Sequence, residues 1–133
     1  MTIMVARDDR RRRFTAIGQG ALDATDILAF MSSLRVVEFR SYALLFDFTA
    51  ATIDVTADHL QLVAAHGEAV RAADGPRGPV ALVGTRPGVY ELARLYETLA
   101  DIPDLPALRV FRTREEADLW LQRELGPSSH QGP

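Results

Sequence analysis

The chain has 133 residues, 47% hydrophobic and 25% charged, which suits one domain with a real core and is too short for two. A net charge of −3 argues against a general polyanion binder, and the lack of cysteine excludes disulfides and thiolate chemistry, leaving only His, Asp and Glu to bind metal. All fifteen basic residues are arginine, a composition suited to bidentate anion contacts.

The first segment, TIMVA, is predicted to be a short strand, RDDRR a turn, and RRFTAIGQG a second strand, together a β-hairpin. Arg10 to Arg13 beside Asp8 and Asp9 are read as the solvated tip and edge of that hairpin. A nucleic-acid patch is disfavoured, because the basic run is short and no aromatics interleave with it. Charges that follow the apolar residues in MTIMVARDDRRRR are in the wrong order for a secretory signal, and no apolar run spans a bilayer, so a cytoplasmic protein is expected.

In GALDATDILAFMSSL, Ile27, Phe30, Met31 and Leu34 form one helical stripe, Asp23 is the N-cap and Asp26 favours the helix dipole. Phe30 and Met31 are read as core in preference to pocket lining. From Tyr42 to Phe48 the chain is almost continuously apolar, as in a central strand covered on both faces. A loop and Thr56 lead into a second helix, roughly 57–73, with Leu60, Val63, Gly67 and Val70 on one stripe. DGPRG breaks the chain and PVALVG is a short buried strand. Pro87 suits the first turn of a third helix, with Val89, Leu92, Ala93, Tyr96 and Leu99 inward. IPDLP ends that helix. LRVFRT is a last strand and TREEADLWLQREL a last helix, with Thr113 and Glu116 as a capping box and Ala117, Trp120 and Leu121 facing the core. The final GPSSHQGP, residues 126–133, should be a disordered tail behind a domain of residues 1–125. The order β-β-α-β-α-β-α-β-α implies an α/β fold with a mixed, mainly parallel sheet of four or five strands covered by helices.

Four pieces in this order resemble a known family. Gly20-Ala-Leu-Asp-Ala-Thr-Asp26 is similar to the G-x-L-T-x-x-D that opens the first helix of SpoIIAA-like proteins, in the STAS and CRAL-TRIO-related group. Leu44-Leu-Phe-Asp47 resembles their L-L-x-D strand. Val89 to Glu97, VYELARLYE, resembles their x-x-G-x-A-R-x-Y-E helix, with Glu91 in place of the usual Gly. Arg109 to Ala117 with Trp120 and Leu121 resembles their R-V-F-R-x-x-E-E-A-x-x-W-L ending. The resemblance runs from about Ala16 to Leu121. It implies a SpoIIAA-like sheet with helices, commonly dimeric, in a branch largely of unknown function whose relatives include anti-sigma-factor antagonists, phosphorylated at a helix start, and lipid-binding domains.

Candidate sites follow. Thr56, after Asp54 at a helix start, occupies the place of the phosphorylatable residue in STAS antagonists, although Asp54-Val-Thr-Ala57 lacks the flanking Ser and Gly of D-S-S-G. A plain N-cap is the preferred reading, and phosphate there is physically possible. Asp47 is a general-base candidate without an assignable partner, so a structural carboxylate is preferred. The loop Gly84-Thr-Arg-Pro-Gly88 joins a buried strand to a helix N-terminus. Thr85, Arg86 and Gly88 would there form an anion site at the same carboxyl edge as Thr56, but a capped turn is the preferred reading, and the loop is no P-loop. His59 and His66 lie on one helical face, about 10 Å apart along the axis, too far to share a metal. Arg94 is expected to pair with Glu91 or Glu97, or to project toward a partner, and Tyr96 to pack inward.

No catalytic, metal or cofactor set is assigned. The leading expectation is a non-catalytic binding or regulatory domain, a homodimer, whose ligand is a partner protein or an apolar, lipid-like small molecule. The alternatives are a phospho-switch at Thr56 and a small enzyme using Asp47 or the 84–88 loop.

Overall fold

A computed structural model describes residues 2–75, 77–99 and 108–125. The elements are β1 (Thr2–Asp8), β2 (Arg13–Asp23), α1 (Ala24–Ser33), β3 (Ala43–Asp54), α2 (Ala57–Asp74), β4 (Val80–Val83), α3 (Pro87–Leu99), β5 (Leu108–Phe111) and α4 (Arg114–Leu125), with a 3-10 turn over Val37–Phe39. The IPDLP turn and the 126–133 tail lie outside the described residues, as does the side chain of Leu99.

The five strands form one sheet in chain order, β1 antiparallel to β2 and all later neighbours parallel. This is the expected mixed, mainly parallel α/β sheet. Because each parallel step crosses the sheet in the same direction, right-handed crossovers put α1, α2 and α3 on one face. The last helix, α4, packs on the other face, against β3, β4 and β5. Strand alternation then divides the core in two. Leu44, Phe46 and Leu82 meet Phe30, Val89 and Ala93 on the three-helix face. Ala43, Leu45, Ala81 and Val83 meet Ala117, Trp120 and Leu121 beneath α4. Covered on both sides, β3 is buried without a break over residues 43–48, and its continuous apolar run follows from that.

Three features depart from the sequence expectations. First, the loop expected after Phe48 is strand: β3 runs on to Asp54 against the second half of β2, beyond β4, which reaches only as far as Asp47. Its inward residues there, Ala51 and Ile53, alternate with outward Thr52 and Asp54, a period-two signal hidden by small side chains. Second, the β2–β3 register passes from Ile17↔Asp47 to Gln19↔Ala50, so Phe48 and Thr49 together oppose Gly18 in a β-bulge. A Cβ on Gly18 would stand 2.8 Å from Leu22 Cδ1, so no larger residue fits without moving that buried leucine. Third, Arg13 is not part of a solvated tip. Its register partner is Ala43, on the α4 face, and its Nη2 lies 2.9 Å from Asp118 Oδ1, tying β2 to α4.

The helix starts are built as their sequences demand. Asp23 accepts from the Asp26 N–H at 2.9 Å while Asp26 Oδ2 accepts from the Asp23 N–H at 3.0 Å, a reciprocal capping box on α1. Thr113 Oγ1 accepts from the Glu116 N–H at 3.2 Å at the start of α4.

Candidate functional site

The helix layer over β2 to β5 does not fill its own interior. On α2, the positions turned toward the sheet include Ala64 and Gly67, and on α3 they include Ala93. Such small residues leave a cavity of about 370 Å³ between the three helices and the sheet. Phe46 and Phe48, stacked at 4.2 Å between centroids, and Phe30, edge-on to Phe46 at 4.7 Å, form its aromatic wall. Leu44, Leu82 and Leu108 contribute from the sheet, and Met31, Leu60 and Tyr96 from the helices. Phe30 is thus both core and cavity lining, and half-buried Met31 lines the cavity.

One end of the cavity is polar. Arg35 follows α1, Arg71 closes α2, Arg40 precedes β3 and Arg77 precedes β4, so four arginines gather where the parallel strands begin. Arg35 makes a two-pronged contact with Asp74, Nε to Oδ2 at 2.6 Å and Nη2 to Oδ1 at 2.8 Å. That bond holds the Asp74 carboxyl below its ordinary range, and raises Arg35 in turn. Arg40 shares Asp74 at 3.8 Å and donates to the Gly75 carbonyl. Burial, reinforced by neighbouring Arg40, pushes Arg77 down to about 10, which leaves it charged at neutral pH. Burial also raises the Tyr96 phenol, so its hydroxyl keeps its proton.

The residues singled out from sequence lie elsewhere. Thr56 is the N-cap of α2: Oγ1 accepts from the His59 N–H at 3.1 Å, and His59 Nδ1 accepts from the Thr56 N–H at 3.3 Å. The hydroxyl is exposed, and Asp54 is exposed at the end of β3 opposite Asp23. Thr85, Arg86 and Gly88 are exposed at the start of α3 and do not line the cavity. Arg86 Nη1 turns back to the Ala51 carbonyl at 3.5 Å, on the stretch of β3 that β4 leaves uncovered. Thr56 and Thr85 both follow the carboxyl ends of neighbouring parallel strands, but those ends lie at different levels. Val83, the end of β4, is level with Asp47, whereas β3 continues to Asp54, roughly 20 Å further at about 3.3 Å per residue.

Asp47 shares the α4 face with Ala43 and Leu45, so it points away from the cavity. Its Oδ1 accepts from the Thr49 N–H at 2.8 Å and Thr49 Oγ1 at 2.7 Å, and Arg114 stands 3.7 Å from Oδ2. The carboxylate satisfies the backbone that the bulge leaves unpaired. Arg94 pairs with Glu97 at 3.3 Å.

Sequence reasoning missed the arginine end altogether. DGPRG reads as a chain break, yet an arginine that directly precedes Gly78 and a buried strand is confined near the base of that strand.

No family model matches the chain, and no curated protein does. Solved structures do. One is an uncharacterised protein of the DUF3478 family with a SpoIIAA-like fold from Shewanella loihica PV-4, with a TM-score of 0.54 and 17% identity over 91% of this chain and 93% of that one. The chain has a SpoIIAA-like fold. The same fold is shared with the anti-sigma factor antagonist SpoIIAA in its unphosphorylated form, with a TM-score of 0.54 and 13% identity over 89% of this chain and 94% of that one. Within this SpoIIAA-like fold the cavity lies between the sheet and its three-helix layer, and the Thr56 cap lies at the far tip of the β2–β3 arm. No helix among the described residues is long and apolar enough to cross a membrane.

Proposed function

We propose that this chain is a non-catalytic binding domain that encloses an apolar small molecule between its sheet and α1 to α3. The observation that carries the reading is the cavity itself. Its 370 Å³ falls within the range of small-molecule sites, and its walls are aromatic and aliphatic with polar groups confined to one end. Native mass spectrometry of the purified protein should find a small organic molecule retained, and calorimetry should detect binding of dodecanol. Ala93→Phe, which places a ring in the space, should weaken that binding about tenfold or more. A wild-type protein that neither retains a molecule nor binds dodecanol would falsify the reading.

A second reading has its own observation. Thr56 is exposed at the N-cap of an 18-residue helix, in a fold shared with an anti-sigma factor antagonist. A phosphate there would meet the positive end of the helix dipole. Phosphopeptide mapping of protein isolated from its native host tests this: an unmodified Thr56 under all growth conditions argues against a switch. Self-association is the remaining part of the reading, supported by the edge strand β1, which exposes Met4 and Val5. Sedimentation at micromolar concentration should show a dimer, and a monomer there removes it.

A further inference from the structure

We propose that Arg77 receives the anionic head group of an amphipathic ligand whose hydrocarbon body fills the cavity, an inference that rests on the cavity reading above. Arg77 lines the cavity, and its Nε is fully buried with no hydrogen-bond partner. Among the described residues no carboxylate forms an ion pair with it. The carboxylates nearby are already engaged. Asp74 serves both Arg35 and Arg40, and Glu97 holds Arg94. Glu68 stands 3.9 Å from Arg71 and is mostly in solvent. The Nε atoms of Arg40 and Arg71, which also line the cavity, are buried and unpartnered too. Two of the four guanidinium groups, those of Arg35 and Arg40, thus share the one well-placed carboxylate, Arg71 has only the loose contact with Glu68, and Arg77 has none among the described residues.

Arg77 is half-buried with its Nε wholly so, and a charge withdrawn from water without a partner is costly, so such groups are retained where something else compensates them. Arg40 makes the cost larger, since its own charge acts against that of Arg77. A carboxylate or phosphate placed there would remove the conflict, because the planar guanidinium fork meets either in a two-pronged contact. Tyr96, which also lines the cavity, offers a protonated hydroxyl as a second donor. The remaining walls, from Phe46 and Phe48 to Leu60, provide no polar group, so the rest of the ligand is hydrocarbon.

The experiment is a calorimetric titration of the whole protein with dodecanoate and dodecyl phosphate below their micelle-forming concentrations and with dodecanol below its solubility limit. At least one anion should bind about tenfold or more tightly than dodecanol, and the tighter of the two identifies a carboxylate or a phosphate head. Arg77→Met should bring the three probes level while leaving dodecanol binding within about twofold. Without ligand, that variant should melt at the same temperature as wild type or higher, because it removes an uncompensated charge. Arg77→Gln serves the same comparison if the methionine variant does not fold. Dodecanol binding as tightly as both anions overturns the head-group assignment and leaves the cavity reading standing. So does a preference for anions that survives Arg77→Met, or a variant that melts well below wild type. Failure of all three probes to bind removes both.

Discussion

At Asp47 a buried carboxylate takes the place of a missing strand neighbour. The bulge opposite Gly18 turns the Thr49 N–H out of the ladder, and Asp47 accepts it at 2.8 Å. Asp47→Ala should therefore cost about 1–3 kcal/mol, the penalty for leaving a buried donor unsatisfied, read as a lower urea midpoint. Asp47→Asn keeps an acceptor oxygen and should lose less than half of that. A loss from Asn as large as that from Ala would mean that the charge, through Arg114, matters more than the bulge. Thr56 is a parallel case at a helix end. Thr56→Ala should cost about 1 kcal/mol and Thr56→Ser close to nothing, because only the capping oxygen is used. Equal midpoints for wild type and Thr56→Ala would show that the cap bond is not formed in solution.

Among the elements, α2 and α4 are attached by different means. Gly67 of α2 faces Met31 Cε, which an added Cβ would approach to 3.3 Å, and the Tyr96 hydroxyl at 3.5 Å. Glycine inside a helix costs up to about 1 kcal/mol relative to alanine, and the end of a methionine side chain yields easily. Gly67→Ala is thus expected to raise stability by up to about 1 kcal/mol in urea denaturation, and a marked loss would show the helix layer to be tighter there than its cavity implies. The α4 helix is anchored by Trp120 and Leu121, and also by the Arg13–Asp118 pair at 2.9 Å. Asp118→Ala strands the Arg13 guanidinium, whose Nε is already buried without a partner. Since Asp118 is 34% exposed, the cost should be nearer about 2 kcal/mol than the full range for a buried pair. The double variant Arg13→Met with Asp118→Leu should recover most of it. Failure to recover would place the value of Arg13 in packing rather than in charge.

For the molecule as a whole, the arginine end of the cavity contributes to the response to acid. The folded-state pKa of Asp74 is lowered, chiefly by its bond to Arg35, so its stabilising contribution is complete above the unfolded value near 3.8 and is lost as pH falls through the folded one. The melting temperature of wild type should therefore exceed that of Asp74→Asn at pH 6, with the gap closing below about pH 3.8. A gap that stays constant into acid would show that the carboxylate charge is not what joins the ends of α1 and α2.

Much of this architecture is legible in the residues. Local patterns are sufficient for the capping box at Asp23, the Thr113 cap bond, the apolar run of β3 and the stripe of α3, because each reflects bonds or burial within a few positions of chain. The bulge, the long β2–β3 arm and the burial of Arg13 were not legible, since each depends on which strand lies alongside. The same holds for the cavity. Its walls are side chains that any helix–sheet core would carry, and the void appears only when three helices are packed at one spacing over one sheet. Residues 35, 40, 71 and 77 are scattered arginines in sequence and become one charged rim because three right-handed crossovers return the chain to the same edge. The chain by itself determined the elements, their order and the SpoIIAA-like fold, since period and capping are local. Only the tertiary structure decided where space and unpaired charge remain, because these are properties of what surrounds a residue.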